Sequence, residues 1–155
     1  ETGHLVLGTL HANNANQAVE RVMNFFPVET HAQLYQHLAL NLRGIVSQRL
    51  VPKTDGKGRV AAIEVMLNSP RVADLVSKGE IAALKAAIEA NVQDGSRSFD
   101  QALYELHRSG QITLEEALRQ ADSANNLRLK IKMENAGGSP ADRPKFSLKS
   151  DEEAA

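Results

Sequence analysis

Five histidines, His4, His11, His31, His37 and His107, are the side chains of this 155-residue chain that could shuttle a proton or bind a phosphate near neutral pH. None forms the i, i+4 pair that one helix face would offer a metal, so no zinc site is expected. His31 and His37 fall at or near the polar side of a helical pattern, and His107 lies beside Arg108; all three read as surface residues. His4 and His11 differ, because they bracket the apolar run Leu5-Val6-Leu7-Gly8-Thr9-Leu10. An imidazole at each end of such a run could hydrogen-bond a phosphate or a neighbouring carboxylate. On these residues alone, structural roles are favoured for both.

Other chemistries find less support. There is no G-x-x-x-x-G-K-[ST] loop to cradle a triphosphate, and Gly56-Lys57-Gly58 lacks both the spacing and the Ser/Thr that would hold Mg2+. There is no G-x-S-x-G elbow. The carboxylates Glu64, Glu80, Glu89, Glu105, Glu115 and Glu116 are spread over separate segments, and a solvated surface explains most of them.

The elements that must hold these residues are legible from periodicity. His4 to Leu10 is short, rich in branched aliphatics and nearly continuous in its apolarity, as expected of a strand covered on both faces. His11-Ala12-Asn13-Asn14 then makes a polar corner, one asparagine of which can cap the next helix. Val19, Val22, Met23 and Phe26 form one stripe of that helix, which Pro27 ends. Leu34, Leu38, Leu42, Ile45 and Val46 predict a longer helix behind it. Gln48 to Val51 and Arg59 to Leu67 read as strands joined by the Asp55-Gly56-Lys57-Gly58 turn. From there the pattern is helical. Ser69-Pro70, Ser98 with Gln101, and Thr113 with Glu116 are starts, and Gly79 and Gly110 are stops. Four or five short helices are expected. From Ala136 onward Gly, Pro, Ser and charge dominate, with Phe146 and Leu148 the only large apolar residues, so a disordered tail is expected.

Composition sets the limits. Apolar residues at 42% suffice for a core, and aromatics at 4% with no Trp leave that core to aliphatic side chains. Eighteen Lys and Arg against 19 Asp and Glu give a net charge of −1, which argues against nucleic acid or an anionic membrane as partner. With no cysteine there is no disulfide, thiol nucleophile or Cys-bound zinc. There is no run of 18 apolar residues and no basic-then-apolar leader, so no membrane insertion is expected. A chain that opens at Glu1 without Met reads as a piece of something longer.

The opening Glu1-Thr2-Gly3-His4-Leu5-Val6-Leu7-Gly8-Thr9-Leu10-His11 resembles the histidine box of the secretion-type ATPases that power type II secretion and type IV pili. Gln48-Arg49-Leu50 resembles the family's next strand, so the likeness runs to about residue 133. Secretion and pilus-extension members commonly insert a four-cysteine zinc element after that strand. Here only a short Lys53 to Gly58 turn follows, which is more similar to the retraction (PilT/PilU) branch. That branch carries an A-I-R-N-L-I-R-E helix after a proline. Pro70, Val72, Leu75, Val76 and Gly79 keep its frame, while Ala73, Asp74, Ser77 and Lys78 replace its polar residues. The stretches 11–17, 24–27 and 122–129 are more similar to the accessory retraction ATPases, PilU-like, than to the principal, PilT-type ones.

The resemblance implies an α/β fold: the C-terminal part of a RecA-like P-loop ATPase core over residues 1–67, a small helical lobe over 68–133 and a disordered tail over 134–155. It implies that His11 senses phosphate, supported by His4, with Thr9 and Asn13 as weaker partners, and that the 70–79 helix transmits movement. ATP and Mg2+ would be bound mainly by upstream residues, since the Walker motifs lie outside this stretch, and the segment alone should be inactive. The whole protein would be a homohexamer on the cytoplasmic face of the inner membrane. It would help retract the type IV pilus for twitching motility, with a PilT-type motor and an inner-membrane platform protein as partners. A secretion or pilus-assembly ATPase without zinc is the nearer alternative. A non-catalytic helical interaction module, its histidines merely structural, is the more distant one.

Overall fold

The computed structural model describes residues 3–136: seven α-helices around one two-stranded antiparallel sheet. The order is α1 (Ala15–Met23), α2 (His31–Asn41), β1 (Gly44–Pro52), β2 (Arg59–Leu67), α3 (Pro70–Ser77), α4 (Leu84–Ala90), α5 (Phe99–Arg108), α6 (Leu114–Gln120) and α7 (Ala124–Ala136). No helix among the described residues is long and apolar enough to cross a membrane.

The hairpin is the organising element. Its register runs from Gly44 opposite Leu67 to Pro52 opposite Arg59. Because side chains alternate across a strand, Ile45, Ser47, Arg49 and Val51 share a face with Val60, Ala62, Glu64 and Met66, and that face is the one the helices cover. Two apolar clusters lie along it. One gathers Met66 with Ala15, Val19, Ala39 and the apolar sides of α3 and α4. The other gathers Val51 and Ala62 with Phe99, Leu103, Ile112, Ala117, Leu127 and Ile131. Ser47, Arg49 and Glu64 stand between them, a polar band across an otherwise aliphatic face.

Local signals set most helix boundaries. Ser69 caps α3 with Pro70 at its first position, and Ser98 and Gln101 close a full capping box on α5. Thr113 caps α6 through the Glu116 amide, but the Glu116 carboxylate turns to Arg119 instead of completing a box. At the hairpin turn Gly56 and Gly58 take the positive φ values, 68° and 85°, that the connection requires.

Several expectations are corrected. Residues 4–10 form no strand, and Leu5, Val6 and Leu7 are exposed by 80%, 82% and 89%. Both described strands pair with each other, so this stretch meets no ladder among the described residues to satisfy its backbone. α1 stops at Met23, leaving Phe26 outside the helix and exposed. α2 stops at Asn41, and Ile45 and Val46 belong to β1. Here Asn68 decides: its side-chain amide donates to the carbonyls of Ala39 and Leu42 at 2.9 and 2.8 Å, satisfying the open end of the helix. Gly44 then lets the chain pass Met66, whose carbonyl oxygen would lie 2.8 Å from any Cβ placed there. Of the expected tail, residues 134–136 complete α7, and 137–155 lie outside the described residues.

Phe99 is fully buried at the centre of the second cluster, beneath the Arg49 guanidinium at 4.0 Å. Phe99→Ala is expected to destabilise the fold by about 3–5 kcal/mol in urea unfolding, and a loss under about 1 kcal/mol would show that the cluster closes without it.

Candidate functional site

The polar corner takes its shape from its own side chains. The chain bends at His11, with the Ala12 amide donating to the Leu10 carbonyl at 3.0 Å. Asn14 caps α1 by accepting from the Gln17 amide at 3.0 Å, and the Gln17 side chain accepts in return from the Asn13 amide at 3.1 Å. His4, Thr9, His11 and Asn13 are all exposed. An exposed imidazole with a hydroxyl and an amide nearby in sequence suits one edge of a phosphate chain, since each can donate a hydrogen bond.

Behind the corner lies a buried carboxylate. Glu64, only 3% exposed, accepts from the Ala15 amide at 2.7 Å. Ala15 is the first residue of α1, so the side chain closes a helix N-terminus, where amides lack partners and the helix dipole favours a negative charge. Burial nevertheless pushes the Glu64 carboxyl above the usual carboxylate range. Asp122 adds to that rise, while the Ala15 amide, Arg49 and the Phe99 backbone oppose it.

Arg49 fans out from the same face. It donates to the Gln120 carbonyl at 2.6 Å, to the Asp122 carboxylate at 2.7 Å and to the Asn13 carbonyl at 3.2 Å, while its plane covers Phe99. The network continues: the Asp122 amide donates to Asp100 Oδ1 at 2.8 Å, and Lys85 of α4 pairs with Asp100 Oδ2 at 2.5 Å. A continuous polar path thus joins the corner to the α6–α7 junction and then to α4.

The other sequence candidates sit apart from this band. Val72, Leu75 and Val76 are sealed in the first cluster, and Pro70 and Gly79 bound their helix, Gly79 against the Tyr35 ring. What α3 shows to solvent is the ion-pair ladder Arg71–Asp74–Lys78. His107 is not a simple surface residue: half-buried, its Nδ1 lies 3.4 Å from the Ile112 carbonyl. His31 Nε2 lies 3.0 Å from the Phe26 carbonyl.

Glu64, one of the six carboxylates most of which the sequence assigns to a solvated surface, lies at the centre of the fold. The reason is visible in β2. Arg59, Ala61, Ile63, Val65 and Leu67 alternate there with Val60, Ala62, Glu64 and Met66, so each phase carries one charged residue and neither is marked as the inward one. The structure turns the Glu64 phase inward. Asp100 and Asp122 carried no signal beyond their positions near a helix start and a loop.

A family model described as type II/IV secretion system protein matches residues 1–69. The chain is 58% identical over 133 residues to the type IV pilus ATPase PilU of Pseudomonas aeruginosa, covering 86% of this chain and 35% of that protein. It is 36% identical over 127 residues to the type IV pilus retractation ATPase PilT of the same organism, covering 82% and 37%. The crystal structure of the pilus retraction motor PilT with bound ADP superposes with a TM-score of 0.73 at 34% identity, covering 83% of this chain and 36% of that one. The chain therefore spans roughly a third of the length of these relatives.

Glu64→Gln retains an acceptor oxygen for the Ala15 amide and removes the buried charge. Because folding raises the Glu64 pKa, the native state binds its proton more tightly than the unfolded chain does. The stabilisation this brings is full below the ordinary glutamate pKa and is lost as pH rises through the raised value. The stability of wild type relative to Glu64→Gln should therefore fall as pH rises above the ordinary glutamate pKa. Paired urea titrations measure it, and a difference that stays level or grows with pH would contradict burial as the dominant influence.

Proposed function

The chain belongs to the type II/IV secretion ATPase family, in the pilus retraction branch that contains PilU and PilT, and on that premise we propose that it is the C-terminal part of a hexameric motor ATPase assisting type IV pilus retraction. The greater likeness to PilU, 58% identity against 36% for PilT, supports the accessory type. In this reading residues 1–67 close the ATPase core and 68–133 form the lobe that passes movement on. The ring works on the cytoplasmic face of the inner membrane, beside a PilT-type motor and the pilus platform protein. Mg2+ and most of the ATP are held by residues upstream of this sequence.

The observation that carries the nucleotide role is the state of the α1 N-terminus. Its first amide is taken by Glu64 and its third by Asn14, so most of the helix end is already occupied. Phosphate recognition at this corner falls to side chains, and the exposed His11, flanked by Thr9 and Asn13, is the one suited to it. ATP supplies a γ-phosphate that exists before hydrolysis and is gone after it. A donor that bonds that group binds one state better than the other, which is the condition for a ligand to shift a conformational equilibrium. His11 donates from its imidazole; Thr9 and Asn13 supply weaker hydrogen bonds, and His4 supports the segment from its far end. Any displacement of His11 reaches the start of α1 within four residues and Arg49 through the Asn13 carbonyl.

His11→Ala in the full-length protein should lower ATPase turnover roughly 10- to 100-fold, the equivalent of losing a charged hydrogen bond of about 1.5–3 kcal/mol, while the hexamer persists. Steady-state turnover with size-exclusion chromatography reads both, and unchanged turnover removes the sensor role. The 155-residue chain by itself should bind Mg-ATP too weakly for calorimetry to detect in the micromolar range. Tight binding would mean that the site lies within these residues.

A further inference from the structure

We propose that Arg49 is the positioning residue that carries the state of the His11 corner to the α6–α7 junction. The inference rests on the nucleotide role of His11 and names what lies downstream of it. An arginine that served packing alone would need only its contact with Phe99. Arg49 instead spends its guanidinium on three chain segments far apart in sequence: the Asn13 carbonyl, two residues beyond His11; the Gln120 carbonyl, on the last residue of α6; and the Asp122 carboxylate, in the loop before α7.

The three grips are unequal, and their order sets the direction of the effect. The bonds to Gln120 and Asp122 are short, 2.6 and 2.7 Å, and the first of them is partly buried. The bond to Asn13 is longer, 3.2 Å, and exposed. A shift of the corner therefore loosens or tightens the Asn13 bond while Arg49 stays anchored to the junction. The side chain re-aims, and Asp122 moves with it. Asp122 is in turn fixed by its amide to Asp100, and Asp100 to Lys85, so the change reaches α5 and α4 without crossing an apolar layer. Only a planar fork with several donors at fixed angles spans these three acceptors; a lysine ammonium, a single point of charge, does not.

The test uses the full-length protein and follows hydrogen exchange over residues 10–14 and 119–124 with a non-hydrolysable ATP analogue and with ADP. In wild type both segments should differ between the two nucleotides. Arg49→Lys should keep the difference at 10–14, lose it at 119–124, and lower kcat about tenfold with the KM for ATP within about threefold of wild type. A structural arginine would not separate the two segments in this way. If the difference at 119–124 survives in Arg49→Lys, or is missing from wild type while present at 10–14, the proposal is overturned. A wild type without any difference at 10–14 instead overturns the His11 reading. Should Arg49→Lys lose the hexamer, Asp122→Asn decides: it keeps the Gln120 and Phe99 contacts and should weaken the response at 119–124 alone, whereas an intact response there overturns the proposal.

Discussion

One buried carboxylate, Glu64, holds the start of α1 against β2. A helix N-terminus meeting a sheet face would otherwise bury an unpaired amide, at a cost of about 1–3 kcal/mol. A glutamate satisfies it and matches the positive end of the helix, at the expense of its own desolvation, which is why its pKa rises. The resulting polar band divides the core into two aliphatic clusters. Each draws residues from the hairpin and from the helices after it, so the hairpin and the helical segment share their hydrophobic interior.

Arg49 gives that band a direction. Glu64 meets the start of α1; Arg49, on the paired strand, reaches the end of α6 and the loop beyond it. Together they tie an exposed corner to a bundle through groups whose geometry is fixed by charge and hydrogen bonding, which tolerate less slack than aliphatic contacts. Apolar clusters hold shape, and directional bonds transmit a change of it.

Local rules were sufficient wherever a side chain acts on its own neighbours. The caps at Asn14, Ser69, Ser98 and Thr113, the glycine turn at 56–58 and the stops at Gly79 and Gly110 all involve partners within a few residues, and all were legible. The end of α2 was not, because the group that closes it is Asn68, on the far side of the hairpin. Residues 4–10 were misread for the same reason in reverse: their apolarity was visible, but no strand among the described residues lies beside them.

The sequence by itself determined most of the elements, the family likeness carried by the histidine box and the Gln48-Arg49-Leu50 strand, and the corner at His11. It could not determine which face of β2 turns inward. Its two phases each carry one charged residue, Arg59 in one and Glu64 in the other, so hydrophobicity alone does not choose between them. Tertiary structure made the choice, because the start of α1 and the Arg49 guanidinium, arriving from distant parts of the chain, give a buried acid its partners. A pattern read along one strand contains none of those partners.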